Sequence, residues 1–111
     1  IFDPAAAAPH PEIAAQTGPH FVFTGQMDYR PNEQAALWVI EELLPHLRAR
    51  HAGAVFHVVG RDPTPRLRAH RGTPGVAVWG EVPDVRPFLA AADAVLAPLL
   101  IARGVQNKVL E

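Results

Sequence analysis

Four short apolar runs, three of them closed by a glycine, alternate with segments of helical spacing, and this alternation leaves few folds open to the chain. The runs are Phe21-Val22-Phe23-Thr24 before Gly25, Ala54-Val55-Phe56-His57-Val58-Val59 before Gly60, Val76-Ala77-Val78-Trp79 before Gly80, and Ala94-Val95-Leu96-Ala97-Pro98-Leu99. β-Branched and aromatic residues bounded by turn residues predict buried strands. Between the first two runs Ala36, Leu37, Ile40, Leu43, Leu44 and Leu47 recur at helical spacing and form one apolar stripe, suited to covering a sheet. Asn32 is placed to cap this helix, with Glu33 in its first turn and Arg48 and Arg50 in its last to complement the dipole. Pro45 removes a backbone donor and crowds the carbonyl of Glu41, so a kink or an early end is expected there. Thr64 and Pro65 read as cap and first residue of a short helix through Arg71, with Gly72 past its end. Pro83-Asp84 is expected to start the next helix, with Val85, Phe88, Leu89 and Ala92 on its apolar face.

Strands alternating with helices imply right-handed crossovers and a parallel sheet, an α/β architecture. Ligands of such sheets bind beyond the carboxyl ends of the strands, which is where Gly25, Gly60, Gly80 and the segment after Pro98 must gather. A glycine there serves either a close ligand approach or a tight turn, and the sequence leaves both open. His57, inside the second run, is expected to be a packed and hydrogen-bonded residue, because no partner stands at metal-ligand spacing.

Charge and composition narrow the function. Ten Lys and Arg against eleven Asp and Glu give a net charge of -1, so no overall attraction to nucleic acid or anionic lipid follows. Six arginines at positions 48, 50, 61, 66, 68 and 71 face one acid, Asp62, and read as a solvated helix face and loop. The absence of cysteine excludes disulfides and thiolate chemistry. No apolar run approaches membrane-spanning length, and the first residues lack the pattern of a signal peptide, so a soluble domain is expected. Residues 1–19, rich in Ala and Pro, read as an interdomain linker, partly extended, ahead of a domain over 20–111. The chain starts without methionine and stops inside an apolar helical pattern, so both ends are expected to be cut.

The stretch from Ile101 to Glu111 reads as a loop opening into a helix at the binding edge. A helix start offers free N–H groups to a phosphate, Lys108 adds a full charge near the first turn, and Glu111 follows three residues on along the same face. A cation for phosphate beside a carboxylate for hydroxyls suits a nucleotide or a nucleotide sugar, although the bare pair also fits a surface ion pair.

Several motifs together resemble a known family. Phe23-Thr24-Gly25-Gln26-Met27-Asp28-Tyr29-Arg30-Pro31-Asn32, Val58-Val59-Gly60, Val78-Trp79-Gly80-Glu81-Val82-Pro83-Asp84-Val85, Ala94-Val95-Leu96-Ala97-Pro98 and Arg103 to Glu111 are similar to the donor-binding domain of retaining glycosyltransferases of the GT-B architecture. Phe2-Asp3-Pro4 resembles the linker that enters that domain, and the likeness is nearest to bacterial sugar transferases of exopolysaccharide and exosortase (PEP-CTERM) systems. The resemblance implies one Rossmann-like half of a GT-B fold, truncated at its C-terminal side, with sheet order 3-2-1-4 and helices on both faces. It implies a UDP- or GDP-linked sugar as donor, no metal or other cofactor, and an acceptor sugar or glycolipid held by an N-terminal domain. It further implies a cytoplasmic protein, at or beside the inner membrane.

By position, Lys108 resembles the lysine that meets the diphosphate, and Glu111 resembles the second glutamate of the family's Glu, seven residues, Glu motif, which holds the ribose. Gly80, Glu81 and Val82 fall where the family's backbone meets the base, and Gly25 resembles the glycine of the phosphate-side loop. Two departures stand out. Arg103 replaces the first glutamate of the motif, and Gln26 follows Gly25 where many members have arginine, leaving Arg30 as the nearest cation in that loop. Arg30 and Arg103 are therefore candidates for the missing charge. Asp28 and Asp62 read as turn residues.

Other classes fit less well. Gly25-Gln26-Met27-Asp28-Tyr29-Arg30 is not the G-x-G-x-x-G of a dinucleotide-binding dehydrogenase, and no acid closes the second strand at Gly60. A phosphorylation-receiver domain needs an acid where a central strand here ends in glycine. A nucleotide-sugar epimerase of GT-B architecture and a non-catalytic nucleotide-binding module stay as alternatives. The piece alone is expected to be inactive, and to self-associate through the fourth strand, where no charge stands between Asp93 and Arg103.

Overall fold

Strands β1 (His20–Thr24), β2 (Val55–Val59), β3 (Val76–Gly80) and β4 (Ala94–Val95) pair in the order β3-β2-β1-β4. All three pairings are parallel, which is the expected 3-2-1-4 sheet. The structure, a computed structural model, describes residues 11–14 and 17–96. β1 and β2 run in register from His20 opposite Val55 to Thr24 opposite Val59, so their carboxyl ends finish level with each other. A bulge between Val58 and Val59 sets Val59 opposite Gly80, bringing the end of β3 to the same edge. β4 pairs Ala94 and Val95 with Phe21 and Val22. The apolar continuation from position 97 to Ile101, on which the expected self-association rests, lies outside the described residues.

Because strand side chains alternate, β1, β2 and β3 feed two cores. Phe23, Phe56, Val58 and Val76 pack with Ala36, Leu37, Val39, Ile40 and Leu44 of the long helix on one face. Val22 and Val59 point to the other face and pack with Phe88 and Ile13. Helices thus cover both faces, as a parallel sheet requires.

The long helix departs from expectation at its cap and runs on past Pro45. It begins at Arg30, as α2 (Arg30–Trp38), with Pro31 in the first turn where its missing N–H leaves no bond unmade. Asn32 is therefore inside the helix, and its amide donates to the Gln26 carbonyl at 3.1 Å, so it ties the preceding loop to the helix instead of capping it. Pro45 does not stop the helix. Residues Val39–Leu43 form a π-helical turn in which the Leu44 N–H reaches back to the Val39 carbonyl, and α3 (Leu44–Arg50) continues from there. The widened turn accommodates the proline, which falls at the start of the renewed helix, where a lost donor costs least.

Two further boundaries differ. The expected partly extended linker contains α1 (Pro11–Ala14), a single turn whose Ile13 is fully buried. α4 (Pro65–Arg68) starts as expected, Thr64 Oγ1 accepting the Leu67 N–H at 3.3 Å, and tightens into a 3₁₀ turn, Ala69–Gly72. α5 (Arg86–Ala91) begins after Asp84, because the Asp84 carboxylate takes up the Arg86 N–H from outside the helix at 3.0 Å.

His57 is buried and hydrogen-bonded, as expected, within a chain of rings that crosses three strands. Trp79 Nε1 donates to His57 Nδ1 at 3.0 Å, and His57 Nε2 lies 2.9 Å from His20 Nδ1. An indole N–H can only donate, so His57 carries its single proton on Nε2 and gives it to His20. Trp79 also meets Phe88 edge-on at 5.0 Å between centroids. Trp79→Phe keeps that aromatic contact and deletes the bond to His57. It should lower the unfolding free energy by about 1 to 2 kcal/mol in urea titration, and an unchanged midpoint would show that the bond carries no stability.

Candidate functional site

An open cleft of about 460 Å³ lies at the carboxyl edge of the sheet. Thr24, Gly25 and Gln26 leave β1 along one wall. Val59, Gly60 and Arg61 leave β2 in the middle, and Glu81, Val82 and Val85 follow β3 on the far side. Three strand ends therefore contribute adjacent residues to one concavity, the place where an open parallel sheet takes its ligands.

The strand ends are locked together by backbone bonds. The Gly25 N–H donates to the Val59 carbonyl at 3.2 Å, the Met27 N–H to Arg61 at 2.9 Å, and the Gly60 N–H to Gly80 at 2.9 Å. At Gly60 the approach is so close that a Cβ would lie 1.7 Å from the Gly25 carbonyl oxygen. Only glycine fits there. Gly80 is needed for a different reason, since its φ of 72° lies in the left-handed region although a side chain would meet nothing within 4 Å. Asp62 also has a positive φ, 58°, consistent with its reading as a turn residue.

Side chains of both signs reach the cleft. Arg61 Nη2 donates to Gln26 Oε1 at 3.0 Å, and Gln26 Nε2 donates to Asp28 Oδ1 at 2.6 Å, so an exposed relay runs from β2's loop to β1's. Glu81 supplies a carboxylate on the opposite side. On either side of Val85 in sequence, Arg86 grips both oxygens of Asp84 through Nε and Nη2 at 2.9 to 3.1 Å. That guanidinium holds the exposed Asp84 carboxyl below its usual range, and the carboxylate raises Arg86 in return. Among the described residues no group of three His, Cys, Asp or Glu side chains is placed to hold a metal ion, and no helix is long and apolar enough to cross a membrane.

Of the residues singled out in the sequence, Gly25, Glu81 and Val82 line this cleft, with Gly80 directly behind through its bond to Gly60. Arg30 is exposed at the first residue of α2 and does not line it. Arg103, Lys108 and Glu111 lie outside the described residues. Arg61 was legible only as one arginine of a solvated cluster. What sets it apart is the backbone bond from Met27 to its carbonyl and the side-chain bond to Gln26, neither of which has a local sequence signal.

No curated protein and no solved structure matches the chain. The family described as glycosyl transferases group 1 matches residues 18–111, from the residues leading into β1 to the last position. That span contains the whole four-stranded sheet and every residue of the cleft, and the chain belongs to the group 1 glycosyltransferases.

Proposed function

We propose that this domain is the donor half of a retaining, metal-independent glycosyltransferase and binds a UDP- or GDP-linked sugar in the cleft. The observation that carries this reading is the meeting of Gly25, Gly60, Glu81 and Val82 at one sheet edge in a chain of the group 1 family. The base lies against the Gly80 to Val82 backbone, and the diphosphate lies toward the loop after Gly25. Lys108 meets the diphosphate, and Glu111 holds the ribose. Arg30 and Arg103 supply further positive charge. An acceptor hydroxyl, from a sugar or glycolipid of exopolysaccharide assembly bound by the other half of a GT-B enzyme, forms the new bond to the anomeric carbon. The bond to phosphate breaks, its electron pair leaves with the diphosphate, and the hydroxyl proton passes to that leaving group. Cationic side chains stabilise the charge that develops on it. The work is done on the cytoplasmic side, at the inner membrane.

A thermal-shift panel of UDP, GDP, ADP and their sugars on the full-length protein tests the reading. A ligand at one hundred times its Kd should add about 2.7 kcal/mol of stability. Stabilisation by one base family is expected, and none by any nucleotide would sink the proposal in favour of a non-catalytic module. Lys108→Ala should weaken nucleoside diphosphate binding by about tenfold or more while leaving the nucleoside alone nearly unaffected. Equal losses for both would remove Lys108 from the phosphate.

A further inference from the structure

The loop after Gly25 carries Gln26 where a cation would be useful, and the first cation along that loop, Arg30, is exposed at the helix start and does not line the cleft. The next strand offers a replacement. Arg61 follows Gly60, lines the cleft, and is fixed at two points: its carbonyl accepts the Met27 N–H at 2.9 Å, and its Nη2 donates to Gln26 Oε1 at 3.0 Å. Gln26 is itself held by Asp28 at 2.6 Å, so its carbonyl oxygen is turned toward the guanidinium. The absence of a side chain at Gly60 lets the two loops touch, and that contact sets Arg61 beside the position that follows Gly25.

We infer that Arg61, positioned by Gln26, is a further cation of the cleft and meets the diphosphate of the nucleotide donor alongside Lys108. This rests on the reading of the cleft as a donor site. One Nη2 hydrogen bond to a neutral amide leaves the rest of the guanidinium fork for a ligand, and the exposed setting lets it reach either a bridging or a terminal phosphate oxygen. Among the described residues Arg61 makes no direct ion pair, unlike Arg86, whose fork is spent on Asp84. The carboxylate at Glu81, on the far wall, lies on the side proposed for the base and ribose, so the two signs divide the cleft into a phosphate end and a nucleoside end.

The test is calorimetric titration of the full-length protein with UDP, GDP, inorganic pyrophosphate, uridine and guanosine. Arg61→Ala should lose about tenfold or more in affinity for pyrophosphate and for the preferred nucleoside diphosphate, with the nucleoside unchanged. Arg61→Lys, which keeps the charge and loses the fork, should recover part of the loss, and Gln26→Ala should weaken the diphosphate by a smaller factor through misplacement of Arg61. Arg66→Ala, an equal change of charge on exposed α4, controls for the overall field. Parallel loss of nucleoside and diphosphate in Arg61→Ala, or no loss of either, overturns the inference while wild-type binding of a nucleoside diphosphate keeps the donor site itself. A wild-type protein that binds no nucleoside diphosphate overturns both.

Discussion

Gly60→Ala should lower the unfolding free energy by about 3 kcal/mol and the midpoint temperature by roughly 10 to 20 °C. The added methyl would stand 1.7 Å from the Gly25 carbonyl oxygen and 2.8 Å from its carbon, and both obstacles are backbone. A flexible side chain could swing aside. Here relief requires the ends of β1 and β2 to part, although Gly25 is bonded to Val59, Met27 to Arg61 and Gly60 to Gly80. Each bond lost at a buried strand end adds to the cost. The same parting would carry Arg61 away from Gln26 and split the cleft, so nucleotide affinity should fall even in molecules that remain folded. Urea unfolding measures the first effect and calorimetry the second. A loss under about 1 kcal/mol would mean that the loops can separate freely, and the account of the cleft as a locked edge would be wrong.

The locked edge explains what the sequence did and did not disclose. Strand positions and their order were legible because β-branched runs closed by Gly25, Gly60 and Gly80 carry local signals, and the right-handed crossover then restricts topology. The glycines marked the edge, yet the sequence could not say that Gly60 serves a backbone contact and Gly80 a left-handed turn. Caps and breaks were less legible because they were decided by competition. Asn32 has the chemistry of a cap, but the Gln26 carbonyl takes its amide and Arg30-Pro31 opens the helix earlier. At Pro45 a kink or an early end was expected, and the helix runs on through a π turn just before it. Arg61 belongs to a third kind. Its neighbours in sequence are Gly60 and Asp62, and its hydrogen-bond partner is Gln26, thirty-five positions away. No pattern along the chain marks such a pair.

The least legible contact is that of Ile13, and Ile13→Ala should cost about 3 kcal/mol. A Pro- and Ala-rich stretch has the composition of a linker, and a four-residue helix has no stability of its own, since nucleation outweighs so few bonds. Its order must come from outside the segment. Ile13 is fully buried with Val22, Val59 and Phe88, and α1 lies against α5, so one side chain anchors the turn to the second face of the sheet. Removing that side chain takes apolar area out of the smaller of the two cores, where few neighbours can close the gap, and leaves α1 without a reason to fold. The effect should be a drop in unfolding free energy together with rapid hydrogen exchange at the amides of α1 and faster exchange in α5. Nucleotide affinity should change less, because Gly25, Gly60 and Arg61 are held by backbone bonds at the opposite end of β1 and β2 from His20. If Ile13→Ala instead shifts stability by less than about 0.5 kcal/mol, as an exposed linker position would, α1 is not part of the domain's core and the sheet's second face is closed by other residues.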